Sequence, residues 1–202
     1  MSTDESSAFP ARLQAAVRAT LRPVYRHARR WYESALHARR RREAAERLQS
    51  RVIRRVLFVC EGNIYRSPYA AHLFQALLPP SLRPEFKVAS AGFVGPGRPV
   101  PIEAQALAQA EGIDMSAHRS TLIVEHLRQE WDLFVVMDAI QQRRLRDRFR
   151  IPASRVVILG DLDPEPISER AIADPWRSPE VVLAPSYARV SRCVRELAQL
   201  LS

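Results

Sequence analysis

Apolar residues in this chain change their period near Arg51. Before it, Leu13, Val17, Leu21, Val24, Ala28, Trp31 and Ala35 recur at steps of three and four with arginines on the other positions, the stripe of an amphipathic helix. Pro23 interrupts the stripe, so the spacing predicts two helices, roughly 10–22 and 24–49. After Arg51, short apolar runs alternate with helical periods. "VIRRVLFVC" reads as a first buried strand, and Pro68 suits the first turn of a helix reaching about Leu78. "FKVASAG" is a second strand, "PIEAQALAQAEG" a helix stopped by Gly112, "TLIVEHLRQE" a shorter helix, and "WDLFVVMD" a third strand. "AIQQRRLRDRFR" is a surface helix ended before Pro152, "SRVVILG" a fourth strand, and a proline-rich loop runs from Asp161 to Pro179. "SYARVSRCVRELAQLL" closes as an amphipathic helix. The alternation predicts an α/β fold: a four-stranded parallel sheet with helices on both faces, plus an N-terminal helical extension. Residues 1–50 are expected to form the extension and 51–202 the domain. In such sheets ligands bind beyond the carboxyl ends of the strands, which is where Cys60 falls.

Composition narrows the class. The chain has 202 residues, 47% of them hydrophobic, enough for a buried core. No apolar run approaches the roughly 18 residues of a membrane span, and the N-terminus lacks the compact apolar segment of a secretory signal, so a cytoplasmic location is expected. Two cysteines, Cys60 and Cys193, are too few for a disulfide framework or a cysteine-rich zinc site. Charge is uneven. Up to Arg55 there are 14 arginines against five acidic residues, and beyond it 17 basic against 17 acidic, so the net +9 sits in the extension. Its cluster "HARRRREAAER" admits several readings: a solvated helix packed on the rest of the chain or on a second copy, attraction to an anionic membrane surface or an acidic partner, or an organellar transit peptide. Nucleic acid is not expected, because no reading motif is present and the remainder is neutral.

The chemistry concentrates in "VLFVCEGNIYRSPYA", Val56 to Ala70. A loop of five residues between Cys60 and Arg66, set between a strand and a helix, can curl its backbone N–H groups inward. With the positive end of the helix beginning near Pro68 they make an anion cradle from Glu61, Gly62, Asn63, Ile64, Tyr65, Arg66 and Ser67. Gly62 and Asn63 tolerate the left-handed backbone such a curl requires. Arg66 can fork two charge-assisted bonds to an oxyanion, and the same field favours the thiolate of Cys60, to which Ser67 can donate.

Strand, glycine-asparagine, arginine-serine-proline and helix in that order resemble the low-molecular-weight protein tyrosine phosphatases, whose loop reads Cys-x-Gly-Asn-x-Cys-Arg-Ser-Pro. The match covers Cys60, Gly62, Asn63, Arg66, Ser67 and Pro68. The resemblance implies an Asp-Pro near the C-terminus, supplied by Asp174 and Pro175, and extends to Ser90-Ala91-Gly92, His118-Arg119-Ser120 and Met137-Asp138. It covers about Val52 to Ser202. It implies hydrolysis of phosphotyrosine through a cysteinyl-phosphate: Cys60 attacks phosphorus, Arg66 and the loop amides hold the equatorial oxygens, and Asp174 protonates the leaving oxygen and then activates water. No metal or other cofactor is required. Ile64 occupies the position where the family has isoleucine for phosphotyrosine and threonine for phosphoarginine, and Trp176 can wall the cleft while Arg177 departs from the family's second aromatic.

Other departures accompany these matches. Tyr65 replaces a frequent second cysteine, Tyr69-Ala70-Ala71 stands where Met-Ala-Glu is common, and Glu111 lies near where many members have a histidine supporting the loop asparagine. "SAGFVGPGRPVP" is similar to bacterial members paired with tyrosine kinases of polysaccharide export, which makes phosphotyrosine proteins, and such a kinase, the expected partners. Three alternatives stay open: a phosphoarginine phosphatase, an arsenate reductase on the same scaffold, and a catalytically weak phosphotyrosine-binding module. The arsenate reductase that relays electrons internally needs further cysteines, and only Cys193 is left, in a helical context that reads as core.

Overall fold

A computed structural model describes the backbone of residues 11–127 and 129–202, and the side chains of Ala28, 31–127 and 129–202. Ten elements carry the fold: α1 (Ala11–Gln49), β1 (Arg55–Cys60), α2 (Arg66–Leu77), β2 (Lys87–Gly92), α3 (Ile102–Gln109), α4 (Ile123–His126), β3 (Leu133–Val136), α5 (Ala139–Phe149), β4 (Val156–Ile158) and α6 (Pro179–Leu201). The strands form one parallel sheet in the order β2-β1-β3-β4. The expected α/β architecture is therefore present.

Alternation along each strand divides the core. Val56, Phe58 and Cys60 of β1, with Leu133 and Val135 of β3, face the cluster that includes α2, α3 and α6. Leu57, Val59, Phe134 and Val136 face the opposite cluster with Ile123 of α4 and Leu145 of α5. Both faces being covered explains why the strand sequences read as unbroken apolar runs. Leu183, Tyr187, Val190, Val194, Leu197 and Leu201 of α6 are buried at helical spacing, and Tyr187 stacks on Tyr69 of α2 with ring centroids 4.0 Å apart.

Three expectations about the helices need correction. The extension is one helix of 39 residues that continues through Pro23. A proline removes one donor from the ladder, and the remaining bonds of so long a helix span the gap. The buried face also differs. Among the described side chains, Trp31 is 75% exposed and Ala35 is exposed, whereas His37, Ala44 and Leu48 are buried. The expectations for Leu13, Val17, Leu21 and Val24 lie outside the described side chains. Finally, α6 begins at Pro179 and runs through Pro185, seven residues before the predicted Ser186; proline at N1 is well placed to start it.

Candidate active site

Strand β1 ends at Cys60 and α2 begins at Arg66, so the intervening residues must reverse the chain within one short turn. Asn63 takes the left-handed conformation, φ 52°, that closes it. Gly62 does not lie in that region, contrary to the reading of the sequence. A Cβ there would stand 2.9 Å from a guanidinium nitrogen of Arg98, whose Nη2 donates to the Gly62 carbonyl at 2.9 Å. Gly92, paired beside Cys60 at the end of β2, is needed for a similar reason: a Cβ would meet the Glu61 carbonyl at 2.9 Å and Asn63 at 3.0 Å.

Two donors aim at the Cys60 sulfur. The Asn63 backbone N–H lies 3.3 Å and the Ser67 hydroxyl 3.0 Å from Sγ. Asn63, fully buried, locks this arrangement. Its amide nitrogen donates to Ser67 Oγ (2.9 Å) and Ser90 Oγ (2.8 Å), while Oδ1 accepts the Thr121 N–H at 3.0 Å. Because Ser67 accepts from that amide, its single proton is free to point at sulfur or at the Ala91 carbonyl 3.3 Å away. The Asn63 carbonyl lies 2.9 Å from His118 Nε2, and since a carbonyl only accepts, that nitrogen carries the hydrogen. Burial lowers the basicity of His118 below the ordinary imidazole value, with the Asn63 contact opposing.

Arg66, 3% exposed, donates Nη1 to the Ile172 carbonyl at 3.0 Å and Nη2 to the Asp174 carboxylate. The other Asp174 oxygen accepts the Trp176 N–H at 3.2 Å and caps a 3₁₀ turn over Pro175–Arg177. A cleft of about 170 Å³ is lined by Cys60, Glu61, Gly62, Ile64, Tyr65, Val94, Arg98, Asp174 and Trp176. A larger hollow, about 580 Å³ between α3 and α6, contains neither Cys60 nor Arg66. No group of three or more His, Cys, Asp or Glu side chains that could hold a metal is gathered among the described residues.

A family model for low molecular weight phosphotyrosine protein phosphatases matches residues 55–202. The chain belongs to this family. Its relatives include a probable low molecular weight protein-tyrosine-phosphatase EpsP of Ralstonia nicotianae, 37% identical over 62% of this chain and 81% of that protein. Wzb of Salmonella typhi, a low molecular weight protein-tyrosine-phosphatase, is 32% identical over 73% of this chain and 94% of its own. Solved structures similar to it include the YwlE arginine phosphatase of Geobacillus stearothermophilus, with TM-score 0.62 and 27% identity over 73% of this chain and 92% of that one.

Within this low molecular weight phosphatase, the loop side chains divide by direction. Asn63 turns inward, Ile64 lines the cleft, and Glu61 turns to Arg144 at 2.6 Å. Tyr65, where the family often has a second cysteine, donates its hydroxyl to Glu103 at 2.8 Å; burial first and that carboxylate second push its phenol far above the ordinary value. Glu111, expected near the loop asparagine, instead accepts from Ser191. Ser90, Thr121 and His118 hold Asn63 in its place. For Ser90 and His118 the signal lay in the Ser-Ala-Gly and His-Arg-Ser matches, but reading roles from them required knowing that two distant segments meet at one asparagine. Arg98 was missed altogether. It donates to Gly62, to Gly95 (2.8 Å) and to Val94 (3.1 Å), and its guanidinium lies 5.6 Å from the Trp176 ring centroid. Cys193 is fully buried in α6, where burial drives its thiol toward the neutral form.

Proposed function

We propose that this chain hydrolyses phosphotyrosine in proteins through a cysteinyl-phosphate, with Cys60, Arg66 and Asp174 as its catalytic residues. The observation that carries the reading is the pair of donors on the Cys60 sulfur within a loop whose arginine already reaches the Asp174 carboxylate. The phosphoryl group sits in the turn from Glu61 to Ser67, at the positive end of α2. Arg66 Nε is buried with no hydrogen-bond partner among the described residues, and a phosphate oxygen supplies one.

The entering phosphate displaces Asp174 from Arg66, and Asp174 takes up a proton from solvent. The Cys60 thiolate then attacks phosphorus as the bond to the tyrosyl oxygen breaks, and that oxygen takes its proton from Asp174. Water then attacks the cysteinyl-phosphate and gives its proton to the Asp174 carboxylate. The S–P bond breaks, releasing inorganic phosphate and the thiolate. Ser67 and the Asn63 amide stabilise sulfur as nucleophile and as leaving group, and Arg66 with the loop amides stabilises the equatorial oxygens without a metal.

Ile64, Val94 and Trp176 give the cleft apolar walls suited to a phenyl ring. Ile64, by family resemblance, and the similarity to tyrosine phosphatases at 37% and 32% identity favour phosphotyrosine over phosphoarginine. The similarity to Wzb and EpsP, together with "SAGFVGPGRPVP", supports a tyrosine kinase of polysaccharide export as substrate partner. Residues 51–202 then act as the phosphatase domain at the cytoplasmic membrane face, with 1–50 as an extension meeting anionic lipid through its arginines. Trp31 (75% exposed) and Tyr32 (56%) on α1 support that contact, and among the described residues no helix is long and apolar enough to cross a membrane.

Phosphate release from phosphotyrosine and phosphoarginine peptides tests the activity. Wild type is expected to turn over phosphotyrosine preferentially and Cys60→Ser neither substrate; a phosphoarginine preference or an active serine variant would overturn it. Sedimentation with anionic vesicles, with and without residues 1–50, tests the membrane contact, which unchanged partitioning after deletion removes.

A further inference from the structure

The family match begins at residue 55, yet the helix before it does more than precede the domain. Ala44 and Leu48 of α1 belong to the same buried cluster as Tyr69 and Tyr187, and Arg41 pairs with Glu196 of α6. The last three turns of α1 lie against the chain leaving β4, which is the segment that goes on to Asp174.

His37 is the point of attachment. It is 5% exposed, and its Nε2 lies 2.8 Å from the Asp163 carbonyl. The carbonyl can only accept, so Nε2 carries the hydrogen, and Nδ1 is buried with no partner among the described residues. The Asp163 side chain, fully buried, accepts from Arg189 Nε at 2.9 Å and from Arg192 at 3.2 Å. Arg189 carries the connection forward with bonds to the Glu169 carbonyl (2.7 Å) and the Ala171 carbonyl (2.8 Å). Arg170 returns to Asp161 through two bonds of 2.8 and 2.6 Å. Gly160 marks how closely the segment folds on itself: a Cβ there would stand 2.1 Å from the Arg170 carbonyl. The next residues are Ile172, whose N–H bonds Met137 and whose carbonyl accepts from Arg66, and then Asp174. Among the described residues, none of α1 lines the Cys60 cleft.

We infer that α1 is a positioning element for the general acid: through His37 and the Asp163 carbonyl it fixes the segment that delivers Asp174 to the leaving oxygen. The extension thereby governs leaving-group protonation and has no part in phosphate capture. This rests on the acid role proposed above for Asp174.

The test uses the full chain and a series of aryl phosphates whose leaving phenols range from acidic to as basic as tyrosine. His37→Leu removes the donor, and His37→Gln keeps an amide N–H near the position of Nε2. For His37→Leu, kcat/KM on phosphotyrosine is expected to fall about tenfold, the scale of one lost buried hydrogen bond. On the most acidic phenol it changes less than about twofold, because that leaving group needs little protonation. The inhibition constant of inorganic phosphate stays unchanged, and His37→Gln recovers most of the loss. Should His37→Leu not fold, His37→Asn, too short to reach the carbonyl, carries the same expectation. An equal loss across all phenols, no loss, weakened phosphate inhibition or absence of rescue by glutamine overturns the inference. Asp174→Ala run alongside separates the two readings: if it is graded while the His37 variant is flat, only the inference falls. If Asp174→Ala is itself flat, the acid assignment falls, and the inference with it.

Discussion

The two halves of the proposed catalytic constellation are built differently. In the turn from Cys60 to Ser67, Asn63 and Ser67 are buried and bonded to Cys60 at the end of β1, to Ser90 and Ala91 of β2 and to the chain at Thr121, while the buried Arg66 reaches across to Ile172 and Asp174. The segment bearing Asp174 leaves its carboxylate side chain 40% exposed and Trp176 57% exposed. It is held mainly through main-chain oxygens: Ser186 donates to Ala173 at 3.0 Å, Arg66 to Ile172, and Arg189 to Glu169 and Ala171. The half proposed to bind the reacting phosphate is cross-bonded through its own side chains. The half proposed to move a proton hangs by its main-chain oxygens from side chains of its neighbours.

The largest effect should come from Asp174→Ala, which removes the proton donor and leaves the turn intact. We expect kcat/KM on phosphotyrosine to drop about 100- to 10,000-fold. Inorganic phosphate should bind at least as tightly as to wild type, because Arg66 loses its carboxylate partner. Inhibition kinetics decide this, and weaker phosphate binding would show that Asp174 belongs with the half formed by the turn.

Asn63→Ala attacks that half. It leaves Ser67, Ser90 and the Thr121 N–H without their shared partner, and stranding a fully buried group such as Ser67 costs about 1–3 kcal/mol. An unfolding free energy lowered by that amount, read from the shift of the denaturant midpoint, with turnover nearly abolished, is the expected outcome. A stable and active variant would show that the asparagine does not organise the turn.

The smallest effect is a pH dependence. His72, His118 and His126 are all held below their ordinary value of 6.5, in each case chiefly by burial. The unfolded chain therefore takes up protons before the folded one as pH falls through about 6.5, and folding stability declines below that point. Thermal melts across this range should show the decline. His118→Gln should flatten it if the histidine under Asn63 contributes; an unchanged slope assigns the effect to the other two.

The same contrast explains what could be read from the sequence. The phosphate turn was legible because its determinants are contiguous: an apolar strand, the Cys60 to Pro68 run and a helix start follow one another within 14 residues of Arg55. The sheet was legible because buried strands carry continuous apolar runs. Less could be read where a residue's role depends on something distant. Apolarity put Trp31 and Ala35 on a stripe of α1 whose cover stayed open, while the structure buries His37, whose partner lies 126 residues away. Gly62 was read as supplying left-handed backbone to the curl, yet it takes no such conformation and its bare Cα accommodates Arg98, 36 residues on. Glu111 was placed by family position near Asn63, but it sits with Ser191.

The resting contact between Arg66 and Asp174 sets a threshold for admission. A newcomer must outcompete a carboxylate already holding the guanidinium. On the proposed phosphate-binding role of Arg66, a phosphomonoester brings two charges and paired oxygens to that contest, whereas a phosphodiester, singly charged and with one oxygen fewer, is the weaker contender. On that reading the resting protein sorts esters by their charge before any bond is broken.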